Sequence, residues 1–195
     1  MAKTLVQEQF GKTAQGYLTS KPHAQGKSLD CLVALTTPQK SWRMLDIATG
    51  AGHVAYAFAP HHFDSIAEFL SEARRVLAPK GTFALVDNVV PAGSVGDYIN
   101  AFERFRDPSH LRAWAMEEWR AALATAGFAV AHEEQLPKTM EFSTWAARHD
   151  ATMQALLRSM LIEVTPDVRA VLAPEEKAGQ FTFRLSEGMF IAKAA

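Results

Sequence analysis

The stretch LDIATGAGHVA, residues 45–55, constrains the fold more than any other part of the chain. A short apolar run, 43–48, is followed by Thr49 and then by two glycines, Gly50 and Gly52. Such a run bounded by polar residues is typical of a buried parallel strand. Glycines at the start of a following helix let the backbone approach a ligand closely and direct the first helical amides toward it. The stretch therefore predicts a strand, a tight ligand-binding turn and a helix.

The position of Asp46 bears on which ligand the turn binds. Residues 50–55 satisfy the G-x-G-x-x-G/A pattern of dinucleotide sites, in which the acid that binds the ribose lies about 20 residues further on. Asp46 lies inside the strand instead, beneath the turn, where it could order the loop amides or accept hydrogen bonds from an ammonium group. This favours a cofactor with a sulfonium and an α-amino group. The glycine pattern alone leaves two alternatives: a nicotinamide cofactor, or a turn that binds nothing.

The rest of the chain alternates between helical and strand patterns. Periodicity predicts two helices between residues 5 and 35, and further helices at 54–59, 65–77, 117–125 and along 142–164. Apolar, β-rich runs predict strands at 43–48, 82–86, 128–132 and 181–192. This alternation is that of an α/β sandwich. We expect one domain, 1–195, with N-terminal helices in 1–40 and a helical lid in 138–178.

Composition and charge exclude several classes of protein. A chain of 195 residues, 48% hydrophobic and 21% charged, is typical of one globular domain. Its 20 basic and 21 acidic residues are spread along the chain, which argues against nucleic acid or a lipid surface as a partner. Cys31 is the single cysteine, and the N-terminus has no apolar run suited to secretion or membrane insertion. We therefore expect a cytoplasmic protein, and a homodimer remains open.

Three stretches, in this order, resemble motifs of one known family. LDIATGAGH (45–53) resembles the first motif of class I S-adenosylmethionine-dependent methyltransferases. ARRVLAPKGTFALVDNVVP (73–91) resembles the later block of helix, turn and strand, and EEWRAALATAGFAV (117–130) is similar to the helix and strand that follow. The resemblance implies a Rossmann-like sandwich with a central, mostly parallel sheet. It also implies methyl transfer from S-adenosylmethionine.

The opening segment narrows the resemblance to a subgroup. Phe10, Ala14 and Tyr17 resemble the N-terminal helix of members that methylate small molecules, including ubiquinone and menaquinone precursors. The implied partner is a small, largely apolar methyl acceptor. The residues implied for the cofactor are Tyr17, Asp46, Ala48, Thr49, Gly50, Gly52 and His53.

His62 is the candidate catalytic base. It belongs to HHF, 61–63, which resembles the family's segment after the fourth strand, at the mouth of the pocket. A histidine there could remove the proton of a phenol or an enol during methyl transfer. The alternative interpretation is a polar helix N-terminus capped by Asp64. We predict no metal site, because adjacent histidines diverge and no further ligand follows at helical spacing.

Two further residues are candidates for binding the acceptor. His110, in the segment RDPSH (106–110), precedes a predicted helix and could face the substrate, although Ser109 could simply cap that helix. Asn88 is predicted to lie just beyond the end of a strand, where open α/β sheets contact their ligands.

The chain departs from the family between residues 59 and 65. The family's second, third and fourth strands have no counterpart there, a loss of about fifty residues, or more than one βαβ unit. A deletion of this kind would leave the strands at 43–48 and 82–86 without ladder partners. Either the sequence omits an internal segment, or the chain is a shortened relative that has lost the adenosine half of its pocket. In the second case it would be a binding module without catalysis.

Overall fold

The computed structural model describes residues 27–38 and 57–194. Its helices are α1 (Lys27–Thr36), α2 (Ile66–Val76), α3 (Ser94–Arg106), α4 (Met116–Thr125), α5 (Phe142–Trp145), α6 (Ala151–Ile162) and α7 (Pro166–Leu172). Its strands are β1 (Ala57–Phe58), β2 (Thr82–Val89), β3 (Phe128–Glu141), β4 (Glu175–Lys177) and β5 (Gln180–Ala194). A turn of 3-10 helix, Pro60–His62, follows β1.

The five strands form one sheet in the order β1, β2, β5, β3, and β4 also pairs with β5. β1 and β2 are parallel, whereas β5 is antiparallel to β2, β3 and β4. β2 and β3 therefore point the same way, with the reversed strand between them. The predicted mostly parallel sheet is not confirmed, because the other pairings between named strands, all of them with β5, are antiparallel.

The prediction of a helix at 54–59 is wrong for its last three residues. Ala57–Phe58 form a strand opposite Leu85 and Val86. Ala59 then adopts a left-handed conformation, φ 64°, and Pro60 starts the 3-10 turn. Pairing with β2 overrides the helical tendency of this short alanine-containing run, since isolated short helices are marginal without tertiary support. The first part of that prediction, 54–56, lies outside the described residues.

The strand predicted at 82–86 is confirmed and continues to Val89. It has neighbours on both sides, β1 and β5, so it does not lack the ladder partner that a deletion would remove. The strand predicted at 43–48 and the first of the two N-terminal helices lie outside the described residues. α1 falls within the region predicted for the second helix.

Several other predicted elements are confirmed. Helix α2 begins where predicted, with the Ser65 side chain accepting a hydrogen bond from the Glu68 amide at 3.2 Å. Ser65 is thus the cap, and the alternative cap at Asp64 is wrong. Helix α4 is followed by Gly127 at φ 78°, as its sequence predicts. The final strand is longer than predicted, and the helical stripe at 142–164 is divided into α5 and α6.

Helices cover both faces of the sheet. Leu32 of α1 packs on one face against Ala84 and Val86 of β2. On the other face, α2 and α4 pack against alternate residues of β2, including Phe83 and Leu85. Helices α3, α5, α6 and α7 form a further core with the first residues of β5. Helices α5 to α7 fall within the predicted lid segment, whose ends belong to β3 and β4, and the lid role stays a prediction.

No helix in the described ranges combines the length and the apolar character needed to span a bilayer.

Candidate functional site

The candidate site lies at the carboxyl ends of the parallel strands β1 and β2. His61 and His62 follow β1 in the 3-10 turn, and Asp87 lies near the end of β2. The main-chain oxygen of His61 accepts hydrogen bonds from the amides of Leu111 and Arg112, at 2.9 and 3.1 Å. The segment between α3 and α4 is thereby held over the histidines. Open α/β sheets bind their ligands at this edge.

His61 forms a hydrogen bond from Nδ1 to Oδ1 of Asp87. The Asp87 side chain is fully buried and that of His61 is 11% exposed. Burial by itself lowers the pKa of His61, but the charge of Asp87, its hydrogen bond and the charge of Glu103 together raise the pKa above 6.5. The pairing of His61 with Asp87 was not predicted from the sequence. The sequence feature that could have indicated the pair is an acid near the end of one buried strand, with two histidines directly after the neighbouring strand.

His62 is held by Ser109. Its Nδ1 lies 2.8 Å from the Ser109 main-chain oxygen and 3.2 Å from the Ser109 hydroxyl. Burial, and then the neighbouring charge of His61, lower the pKa of His62 below 6.5. The ring is therefore mostly neutral at pH 7, which is the form that can accept a proton.

His110 is 1% exposed, and its Nε2 donates to Oδ1 of Asn100 at 2.8 Å. The same oxygen accepts the Ala113 amide at 2.7 Å. The His110 ring centre lies 5.1 Å from that of His61 and 6.3 Å from that of His62. The structure thus brings His110 to His62, but as a buried side chain bonded to α3, and its contact with a substrate stays a prediction. The alternative that Ser109 caps the next helix is wrong, since α4 starts at Met116 with Ala115 as N-cap.

Asn88 lies within β2 rather than beyond it, opposite Glu187 of β5. Successive side chains of a strand point to opposite faces. Asp87 points toward the histidines, so Asn88 lies on the α1 face with Ala84 and Val86. The structure does not bring Asn88 together with His62, because the strand continues past the predicted end.

The predicted cofactor residues lie outside the described part of the chain, so their contacts stay predictions. They are Tyr17, Asp46, Ala48, Thr49, Gly50, Gly52 and His53. Among the residues that are described, no group of three or more His, Cys, Asp or Glu side chains is arranged to hold a metal ion.

The burial of His110 predicts a specific loss of stability in acid. Burial, and then the charges of His61 and His62, lower the pKa of His110 from 6.5 to about 3. Between these values the unfolded state binds the proton and the folded state does not, so stability falls as the pH drops below 6.5. We expect His110→Gln, which keeps a donor for Asn100 and cannot titrate, to remove up to about 1.4 kcal/mol of this loss per pH unit. Urea unfolding of both proteins from pH 7 to pH 4 measures it, and parallel curves would contradict the assignment.

Comparison with curated proteins finds two bacterial relatives. The chain is 25% identical to the uncharacterized methyltransferase YcgJ of Bacillus subtilis (strain 168) over 196 residues, covering 71% of this chain and 78% of YcgJ. It is 31% identical to the uncharacterized protein YafE of Escherichia coli (strain K12) over 143 residues, covering 71% of this chain and 68% of YafE. The YcgJ match is longer than the part of this chain that it covers, so YcgJ contains positions that this chain lacks. No protein-family model matches the chain.

Two solved structures share the fold. A candidate methyltransferase, BH2331 of Bacillus halodurans C-125, superposes with a TM-score of 0.65 and 30% identity over 70% of this chain. The crystal structure of Bacillus YcgJ superposes with a TM-score of 0.59 and 24% identity over 68% of it. The chain spans 66% and 59% of these two solved chains.

The fold and the relatives define a Rossmann-like methyltransferase. The chain belongs to the class I S-adenosylmethionine-dependent methyltransferase family, with YcgJ and YafE among its relatives.

Proposed function

We propose that this protein transfers the methyl group of S-adenosylmethionine to a small, largely apolar acceptor by in-line displacement. The observation that carries the proposal is the neutral His62 beside the His61–Asp87 pair, at the carboxyl ends of β1 and β2. The relatives support the reaction class, since YcgJ is named a methyltransferase and BH2331 a candidate one.

The described residues fit a cationic methyl donor. The charge of His61 is matched by Asp87 beside it, while His62 and His110 are neutral at pH 7. The three histidines therefore add no net positive charge that would oppose a sulfonium. When bound, the cofactor supplies an electrophilic methyl group. We expect the first-motif residues to hold it, with Asp46 accepting from its ammonium and Gly50 and Gly52 leaving room for its amino-acid portion.

The protein's own contribution is to position the acceptor and to take its proton. Holding two reactants in line can supply about 7–11 kcal/mol of the barrier. His62 accepts the proton of the acceptor hydroxyl as the nucleophile forms. The hydrogen bond between His61 and Asp87 holds the turn that carries His62 at the carboxyl ends of β1 and β2. An acceptor with a weakly acidic hydroxyl, such as a phenol or an enol, suits this arrangement.

Binding of S-adenosylmethionine to protein confirmed as full length by intact mass tests the proposal. By isothermal titration we expect a micromolar dissociation constant for S-adenosylmethionine and no heat with NAD. Asp46→Ala should abolish the binding, whereas Asp167→Asn, an exposed acid on α7, should leave it unchanged. Formation of S-adenosylhomocysteine with a panel of phenols and enols then measures turnover.

The other outcomes identify the alternatives. Heat with NAD alone would indicate an oxidoreductase. Binding of neither compound would indicate a shortened binding module and would overturn the proposal.

A further inference from the structure

The turn that follows α3 is built around one carboxylate. Asp107 Oδ1 accepts hydrogen bonds from the Ser109 amide at 3.0 Å and from the Ser109 hydroxyl at 2.6 Å. The Asp107 main-chain oxygen also accepts the His110 amide at 2.9 Å. Asp107 and Ser109 are 5% and 2% exposed. Asp107 therefore fixes both the main-chain and the side-chain oxygen of Ser109.

These two oxygens determine which nitrogen of neutral His62 carries the hydrogen. The Ser109 main-chain oxygen, 2.8 Å from His62 Nδ1, can only accept. The Ser109 hydroxyl, 3.2 Å from the same nitrogen, already donates its hydrogen to Asp107 and offers His62 only a lone pair. Nδ1 faces two acceptors and must be the donor. The lone pair of the neutral ring is then on Nε2.

A second element holds the carboxylate from its other side. Arg148, just after α5, donates from Nη1 to Asp107 Oδ2 at 3.3 Å. The next residue, His149, donates from Nε2 to the Arg106 main-chain oxygen at 2.7 Å. Burial alone would raise the pKa of Asp107, but the hydrogen bonds from Ser109 and the charges of His62 and Arg148 together lower it below its usual value. The carboxylate is thus ionised at pH 7 and accepts at both oxygens.

We propose that Asp107 is a positioning residue that acts through Ser109 to fix His62 as the Nδ1–H tautomer, with Nε2 as the proton acceptor. The part that concerns the methyl acceptor rests on the proposed function. The tautomer does not. An unconstrained imidazole in water favours the Nε2–H form, so the fold imposes the less common tautomer on His62.

Nitrogen NMR of the full-length protein without added cofactor tests the tautomer directly. In long-range proton–nitrogen spectra the protonated nitrogen and the lone-pair nitrogen of His62 have different shifts, and His62→Asn identifies the signals by their loss. We expect Nδ1–H in the wild type. Asp107→Asn keeps an oxygen that can accept from Ser109, so it should keep this form, whereas Asp107→Ala should gain a substantial Nε2–H population.

Three results would overturn the inference: Nε2–H in the wild type, an unchanged tautomer in Asp107→Ala, or loss of the tautomer in Asp107→Asn. If Asp107→Ala does not fold, Ser109→Ala is the second variant. It deletes the hydroxyl and keeps the hydrogen bond from the amide of residue 109 to Asp107. We expect a measurable Nε2–H fraction in it, and none would count against the inference.

Kinetics separate this inference from the proposed function. We expect Asp107→Ala to lower kcat by about 10- to 100-fold with KM for S-adenosylmethionine unchanged, and Asp107→Asn to stay near wild type. An equal loss of kcat in both variants would contradict positioning through Ser109. If the tautomers behave as expected and no methyl transfer occurs, the proposed function fails and the inference about His62 stands.

Discussion

Replacement of His62 by Asn is expected to lower kcat for methyl transfer by about 10²- to 10⁴-fold, the usual contribution of a positioned base. Asn keeps a donor for the Ser109 main-chain oxygen, which lies 2.8 Å from His62 Nδ1, but it cannot accept the proton of the acceptor hydroxyl. KM for S-adenosylmethionine should stay near wild type, since the predicted cofactor residues are elsewhere in the chain. Steady-state formation of S-adenosylhomocysteine measures both parameters.

The control is His132→Asn, on the edge strand β3 and 37% exposed. It should leave kcat unchanged. In the wild type, kcat/KM should fall only as the pH drops below 6.5, because the pKa of His62 lies below that value and the ring is already neutral at pH 7. An unchanged kcat in His62→Asn would remove His62 as the base and leave His61 as the candidate. An equal loss in His132→Asn would indicate a general effect of the substitutions.

The sequence predicted the strand that carries Asp87, but it did not predict which residue of that strand faces the histidines. The predicted strand at 82–86 is present, yet it runs three residues further, to Val89. The face of a strand residue alternates with each position. A prediction that ends the strand early places Asn88 in the loop, whereas the structure turns Asn88 away and directs Asp87 to His61. The end of β2 is set by its pairing with β5, which is distant in the chain and which the local sequence pattern does not reveal.

The segment before His61 shows the same limit. Residues 57–59 have no strand pattern of their own, and the two residues of β1 are set by their pairing with Leu85 and Val86. The sequence pattern predicts a helix at 54–59 and no strand before HHF. The structure contains a two-residue strand there, so the chain does not pass from one helix straight into the next. Long-range pairing, which a local reading underestimates, explains the difference.

His110 marks the boundary between pattern and packing. Its position before a helix suggested a residue that faces a substrate. In the structure its hydrogen-bond partner is Asn100, which lies on α3, ten residues earlier in the chain. Only the packing of α3 shows that His110 is buried. The motif therefore identified a segment that lies against the candidate site, and the structure shows that His110 anchors this segment to α3.

Phe102→Ala is expected to destabilise the protein by about 3–5 kcal/mol, the usual cost of deleting a buried aromatic ring. Phe102, on α3, is fully buried. Its ring stacks on Trp145 with centres 5.0 Å apart and meets Phe183 of β5 edge-on at 5.7 Å. The three rings join α3, α5 and β5 in one core, so the cavity left behind would have walls from three elements and could collapse only in part. Urea unfolding followed by circular dichroism measures the loss.

Phe105 provides the matched control, because it is the same residue type one turn further along α3 and is 49% exposed. Phe105→Ala should change the unfolding free energy by no more than about 0.5 kcal/mol, since alanine also has the higher helix propensity. Equal losses in the two variants would show that the helix, and not the three-ring core, sets the stability. The core matters for the site as well: α5 ends just before Arg148, which bonds to Asp107, so loosening Trp145 should also weaken the hold on Ser109 and His62.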